Sequence, residues 1–206
     1  MNNRIFLVAA LASLQSSLMS RASSVDPEYV APVSAVSADG FGVTAEIILP
    51  PSDVRVSVSG SIFSGRGKPG DFGWMIEQEQ YARTLFVFND NEQQFDAFQN
   101  GDKSLGCSVG GGNAVIRPYQ CRDPQRAIGI PTGSRGEGYA VLNDHVKTKI
   151  DQAISSIRAL AASGKYDSVL FSQAAVDAPT LGTGIFRVSE EVKKFIFESL
   201  LRLNSN

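Results

Sequence analysis

Two glycine-rich segments have residue types that suit the binding of an anion. The first glycine loop (residues 110–112) is followed by Asn113, and the second glycine loop (residues 181–186) has the sequence LGTGIF. Glycine lets the backbone approach a ligand closely and turn successive N–H groups toward one anion. Where such a loop leads into a helix, the helix dipole adds favourable charge at the same point. The two loops together predict a cradle for a phosphate-bearing small molecule.

Several other kinds of site are disfavoured by the same sequence. A P-loop needs Lys and then Ser or Thr after its last glycine, and neither loop has them. His145 is the only histidine, so a structural zinc site and a Ser-His-Asp triad are not expected, and His145 is predicted to be a surface residue. The sequence therefore predicts no metal and no cofactor.

The strand and helix patterns predict an α/β domain. Short apolar runs at 84–88, 127–131 and 167–171 are typical of strands buried on both faces. Alternating segments at 41–49 and 54–62 predict two strands that pair as a hairpin at one sheet edge. Helices are predicted from Asp144 to about Ser163, from Ser189 onward, and briefly at 113–117 before Pro118. Polar residues follow the strand at 84–88, in the position where open α/β sheets keep their chemistry.

The order of these motifs resembles that of macro domains. Gly70 and Asp71, the strand ending at 89–91, and then the first and second glycine loops follow one another as they do in that family, over roughly residues 70–203. The resemblance implies a three-layer mixed sheet flanked by helices that binds ADP-ribose, and some members hydrolyse an ADP-ribosyl bond. Phage and bacterial proteins of unknown function with an Ile-Pro-Thr strand exit, as at 130–132, are a second resemblance.

The macro-domain resemblance also implies roles for individual residues. Asp71 would hold the adenine amino group, Asn91 would contact the distal ribose, and Phe186 would pack on that ribose. The first glycine loop would lie near the distal ribose and a phosphate, and the second would cradle the pyrophosphate. The ligand-binding residues implied are Asp71, Asn89, Gly110, Gly111, Gly112, Leu181, Gly182, Thr183, Gly184, Ile185 and Phe186.

The candidate catalytic residues are Asp90, Asn91 and Asn113. One of them could position a water against the anomeric carbon of the distal ribose, and Asp90 would need to reach that water to act as a general base. The alternative is that these residues only shape a turn, as Asx residues often do. Binding without turnover therefore stays as open as hydrolysis. Further alternatives are a non-enzymatic interaction module or a secreted effector, whose glycine loops would be structural turns.

The first 24 residues predict a signal or targeting leader. Arg4 precedes the apolar stretch 5–12, and no acidic residue occurs before Asp26. The stretch is shorter than the roughly 20 residues that span a bilayer, so no stable membrane span is expected. A transit peptide and an amphipathic helix are alternatives. Residues 25–40 predict a flexible linker and 41–206 a single α/β domain, which would be secreted or organellar if the leader is cleaved and otherwise cytoplasmic.

The two cysteines allow two redox states. Cys107 and Cys121, the only cysteines, flank the first glycine loop and would form a disulfide after export or stay free thiols in a reducing compartment.

A net charge of -2 gives no general attraction to polymeric nucleic acid. A local group of arginines could still meet a phosphate, although solvated surface is the alternative; it comprises Arg117, Arg122, Arg126 and Arg135. The predicted partner is an ADP-ribose-like nucleotide, and no oligomeric state is predicted.

Overall fold

The computed structural model describes residues 56–184 and 186–205. These residues form one five-stranded mixed sheet with helices on both faces, which confirms the predicted α/β class. The predicted leader (1–24), linker (25–40) and first strand (41–49) lie outside the described residues.

Four of the five strands run parallel. In chain order the strands are β1 (Ser57–Ile62), β2 (Thr84–Asn91), β3 (Ala127–Ser134), β4 (Glu137–Gly138) and β5 (Ser168–Gln173). Across the sheet they follow the order β1-β5-β2-β3-β4, and only β4 is antiparallel to its neighbour. Because the other four are parallel, their carboxyl ends meet at one end of the sheet. The strand predicted at 54–62 is thus found as β1, paired in parallel with β5.

The helices include both of the long ones that the sequence predicts. They are α1 (Phe72–Met75), α2 (Glu92–Gln99), α3 (Lys103–Gly106), α4 (Asp144–Ala161) and α5 (Glu190–Leu201), with 3-10 helices at Glu79–Tyr81, Gly112–Cys121 and Arg202–Ser205. The N-cap of α4 is Asn143 rather than Asp144, because the Asn143 side chain accepts a hydrogen bond from the Val146 N–H at 2.9 Å. Within the described part of the chain, no helix is long and apolar enough to cross a membrane.

The short helix predicted to stop before Pro118 is longer than predicted. It runs from Gly112 to Cys121 as a 3-10 helix with Pro118 inside it. Proline removes one backbone donor, but side-chain contacts hold the segment on both sides of Pro118. Arg117 is ion-paired, and the Gln120 side chain donates to the Gly106 carbonyl. The prediction of a stop at Pro118 is therefore wrong.

The two faces of β2 each bury a separate hydrophobic cluster. Leu85 and Val87 belong to the cluster formed with α4 and α5, whereas Phe86 and Phe88 belong to the cluster formed with α1 and the 3-10 helix Gly112–Cys121. Successive side chains of a strand point to opposite faces, so a strand covered on both sides reads as a continuous apolar run. This double burial fixes β2 and hence the polar residues at its carboxyl end.

Cys107 and Cys121 form a disulfide. The bond joins the residue that follows α3 to the last residue of the 3-10 helix Gly112–Cys121. The first glycine loop lies between them in the chain. The disulfide therefore closes the segment that contains this loop.

Candidate functional site

A cleft of about 1050 Å³ lies at the carboxyl ends of the parallel strands. Each of the four parallel strands contributes a lining residue at or just beyond this end: Phe63, Asn91, Thr132 and Ser172. The volume is slightly above the roughly 300–1,000 Å³ that is usual for ligand pockets. Ligands of open α/β sheets bind at this end of the strands. The fold therefore provides a site of the right size in the expected place.

Most of the residues predicted from the sequence line this one cleft. Those that do are Asp71, Asn89, Asn91, Gly110, Gly111, Gly112, Asn113, Gly182, Thr183, Gly184 and Phe186. Asp90 and Leu181 do not line it, and each is only 1% exposed. Ile185 lies outside the described residues. The structure thus brings both glycine loops to one place, while their contacts with a ligand stay a prediction.

Asn89 connects the two glycine loops. Its side-chain Nδ2 donates to the Gly182 carbonyl at 2.7 Å, and its backbone N–H donates to Asn113 Oδ1 at 3.1 Å. The Gly182 N–H in turn donates to the Ser172 carbonyl on β5 at 2.9 Å. The carboxyl ends of β2 and β5, which are neighbours in the sheet, therefore set the positions of both loops.

The first glycine loop lines the cleft and has unpaired backbone donors. It leads into the 3-10 helix Gly112–Cys121, and Gly112 has a φ of +56°, a backbone conformation that favours glycine. Helix-starting N–H groups have no partner in their own helix. The N–H groups of Gly111, Gly112 and Asn113 accordingly have no acceptor among the residues that the structure describes. They are free to bind an anion.

Two candidate catalytic asparagines also present donors. Asn91 Oδ1 accepts from the Gln93 N–H at 3.0 Å and so caps α2, and Asn113 Oδ1 accepts from the Asn89 N–H. The Nδ2 groups of Asn91 and Asn113 have no acceptor within the described part of the chain. Because the Oδ1 atom of each side chain already accepts a hydrogen bond from the protein, the Nδ2 group is the part of each side chain that is available to a ligand.

The third candidate catalytic residue, Asp90, is closed off from the cleft. Its Oδ1 accepts from Arg117 Nη2 at 2.6 Å and Nε at 2.9 Å, and its Oδ2 faces Gly129 on β3, where an added Cβ would lie 2.4 Å away. Burial raises the pKa of Asp90, and the Arg117 guanidinium opposes this effect. The general-base role predicted for Asp90 would require contact with a bound water, and the carboxylate is instead buried and paired with Arg117. Arg117 is not solvated surface either, since its side chain is 6% exposed.

Four apolar side chains that line the cleft were not predicted from the sequence. They are Phe63, Trp74, Val109 and Val115, and Phe63 is 59% exposed. Phe63 directly follows β1, so the rule that parallel strands end at the site could have found it. Trp74 lies on the four-residue helix α1, which is too short to produce a periodic pattern.

Charged groups are few in the cleft. Arg66, Asp71 and Arg117 line it, and the charge of Arg117 is compensated by Asp90. Asp71 Oδ2 accepts from the Gly67 N–H at 2.8 Å, which ties the carboxylate to the loop beside Arg66. The described residues contain no group of three or more side chains suited to a metal ion.

Comparison with known proteins adds no relative to this description. No family model matches the chain, and no curated protein or solved structure matches it.

Proposed function

We propose that the protein binds ADP-ribose or a related nucleotide diphosphate in this cleft. The observation that carries the proposal is that two glycine loops, about 70 residues apart in sequence, line one cleft. Asn89 is bonded both to Gly182 in the second loop and to Asn113, which directly follows the first. Two glycine loops that line one cleft suit two linked phosphates, because each loop can bind one anion. The first loop has unpaired N–H groups for this purpose. A single phosphate would need only one of them.

The aromatic residues that line the cleft suit a planar base. Phe63 and Trp74 provide aromatic surface, and stacked aromatic groups gain about 0.5–1.5 kcal/mol beyond the area they bury. Asp71 lines the same cleft, and a carboxylate is an acceptor for the exocyclic amine of adenine. These groups support an adenine nucleotide rather than inorganic diphosphate.

The free amide groups of Asn91 and Asn113 suit the ribose and phosphate oxygens between the two ends of such a ligand. Their Nδ2 atoms can donate to either kind of oxygen. The order of the motifs resembles that of macro domains, and this resemblance supports the same ligand. It also implies a three-layer, macro-domain-like arrangement. We therefore prefer ADP-ribose to other nucleotide diphosphates.

The proposal concerns binding and assigns no reaction. Asp71 is the only carboxylate that lines the cleft within the described residues, and it is held by Gly67. Asp90 is paired with Arg117. Asn91 or Asn113 could orient a water, but neither is a base. No arrangement at the cleft favours hydrolysis of an ADP-ribosyl bond over binding alone.

The rival function is an interaction module whose glycine loops are only turns. That function predicts loops packed shut over the strand ends, and an open cleft of about 1050 Å³ argues against it. The secreted effector is a hypothesis about location, and the leader on which it rests lies outside the described residues.

Calorimetric titration with ADP-ribose tests the proposal. Gly184→Glu should abolish the heat of binding, because the added side chain meets no atom within 4 Å of its Cβ and so leaves the fold intact, but it places a carboxylate among the phosphates. Val176→Glu is the control, since Val176 is 87% exposed on the same connection and does not line the cleft. The absence of heat with the unaltered protein, or equal affinity in Gly184→Glu, would contradict the proposal.

A further inference from the structure

A buried ion pair lies directly beneath the first glycine loop. Arg117 donates to Asp90 Oδ1 through both Nε and Nη2, at 2.9 and 2.6 Å. The two side chains are 6% and 0% exposed. A buried ion pair is weak evidence for stability, because removing both charges from water costs about as much as their attraction returns. Its location under the loop suggests another role.

The same guanidinium contacts the loop. Arg117 Nη1 donates to the Ser108 carbonyl at 2.8 Å. Gly110 lies so close that a Cβ there would be 2.8 Å from Nη2 and 2.9 Å from Nη1. The backbone of the loop therefore rests on the outer edge of the guanidinium. The guanidinium is planar and has five donors at fixed angles. It therefore defines the position of the loop backbone more closely than the flexible ammonium group of a lysine would.

Asp90 fixes the guanidinium from the other side. Its Oδ1 also accepts from the Asn91 N–H at 2.8 Å, and its side chain lies over Gly129, where β3 has no Cβ. The carboxylate is thus held by two central strands of the sheet. A continuous set of contacts runs from the sheet through Asp90 and Arg117 to Ser108 and Gly110.

We propose that Asp90 and Arg117 are positioning residues, which hold the first glycine loop where it receives the anionic part of the ligand. The inference rests on the proposed function for the identity of the ligand. Whether the two residues hold the loop in place, however, can be measured in the protein without ligand.

Three variants separate positioning from charge and from stability. D90N/R117M removes both charges at once, so that no unpaired charge stays buried. R117K keeps a positive charge beside Asp90 but has no fork that can reach Asp90 and Ser108 together. R83M/D167N is the matched control, because it removes an exposed arginine-aspartate pair located just before β2 and β5, at the opposite end of the strands.

The test combines amide hydrogen exchange by NMR with calorimetric titration by ADP-ribose. The reporter amides are those of Gly110 and Ala114, which donate at 3.0 and 3.1 Å within the loop segment. We expect D90N/R117M and R117K to exchange these amides at least about tenfold faster, while the amides of α4 keep their rates. Affinity for ADP-ribose should fall at least about tenfold in both variants and stay unchanged in R83M/D167N.

The outcomes distinguish this inference from the proposed function. If the unaltered protein gives no heat with ADP-ribose, the proposed function fails, yet faster loop exchange in D90N/R117M still supports the positioning role. Unchanged loop exchange and affinity in D90N/R117M overturn the inference and leave the proposed function standing. Wild-type exchange and affinity in R117K also overturn it, because charge alone would then suffice. If D90N/R117M does not fold, R117K decides.

Discussion

The side-chain amide of Asn89 donates to the backbone carbonyl of Gly182 at 2.7 Å, although 93 residues separate them in sequence. The backbone N–H of Asn89 is bonded to Asn113 at the same time. One residue at the end of a central strand therefore sets the spacing between the two glycine loops. If the loops bind two linked phosphates, that spacing determines whether both can be reached at once.

Asn89→Asp should weaken the binding of ADP-ribose at least about tenfold. The carboxylate cannot donate to the Gly182 carbonyl and repels it, while the backbone bond to Asn113 is kept. Leaving this part-buried acceptor without its donor costs at most about 1–3 kcal/mol, so the free energy of unfolding should fall by no more than that amount. Calorimetry and urea denaturation measure the two effects. Asn100→Asp, at an exposed position, is the control; equal affinity in both variants would refute the role of Asn89.

Removal of the disulfide should affect both stability and binding. Cys107 and Cys121 are 14 residues apart in sequence, and closing a loop of this size lowers the entropy of the unfolded chain. In the chain-entropy model the effect is about 3 kcal/mol, which C107S/C121S should lose from the free energy of unfolding. Binding should also weaken, because the closed segment contains the first glycine loop.

Reductant provides the control for this prediction. Denaturant unfolding of the unaltered protein should shift toward that of C107S/C121S when a reductant is added, whereas the variant itself should not respond. A response of the variant, or unchanged stability of the unaltered protein after complete reduction, would contradict a stabilising disulfide.

Local patterns in the sequence were enough to predict the main elements. The apolar run that became β2 and the Ser189 cap of α5 are determined by nearby residues, so periodicity and capping rules identify them. The two glycine loops were also predicted as a pair from their order in the chain, although the first follows α3 in the structure and only the second follows a strand, β5. These parts of the fold and site depend on short stretches of chain.

The orientation of Asp90 depends on more distant residues. Side chains alternate along a strand, so Asp90 shares a face with Phe86 and Phe88, which are buried. This rule could have indicated that Asp90 does not face the cleft with its neighbours. That its partner is Arg117, 27 residues away, depends on how the 3-10 helix Gly112–Cys121 packs on the sheet, which no local pattern specifies.

Gly70→Ala should destabilise the fold more than Gly101→Ala. Both glycines have positive φ, +94° and +79°, so both substitutions incur the strain of that conformation, about 1–2 kcal/mol. At Gly70 a Cβ would also lie 2.0 Å from the Ile62 carbonyl oxygen, whereas at Gly101 it would meet no atom within 4 Å. The difference between the thermal unfolding midpoints of the two variants measures the cost of the close contact with the Ile62 carbonyl oxygen. Equal losses would mean that the loop before Asp71 shifts freely to accept a side chain.

The stability of the fold should depend on pH through the ionisation of Glu92. Burial by itself would raise the pKa of Glu92, but hydrogen bonds from Tyr139, at 2.6 Å, and from His145, at 2.9 Å, outweigh burial and hold the pKa below its ordinary value. A carboxyl with a lowered pKa stabilises the fold above its unfolded pKa of about 4.3. That stabilisation is lost as the pH falls through the lower, folded pKa.

Tyr139→Phe should therefore reduce stability near neutral pH and have a smaller effect in acid. The variant removes a donor to the ionised Glu92 carboxylate, so the folded pKa of Glu92 rises toward its ordinary value. The difference in midpoint temperature between the variant and the unaltered protein should then be largest above about pH 5 and should narrow as the pH approaches 3. Tyr166→Phe is the matched control, because the Tyr166 hydroxyl donates to a backbone carbonyl, that of Gln125, which does not titrate. A Tyr139→Phe difference that stays constant with pH, as expected for Tyr166→Phe, would show that this hydrogen bond does not lower the pKa of Glu92.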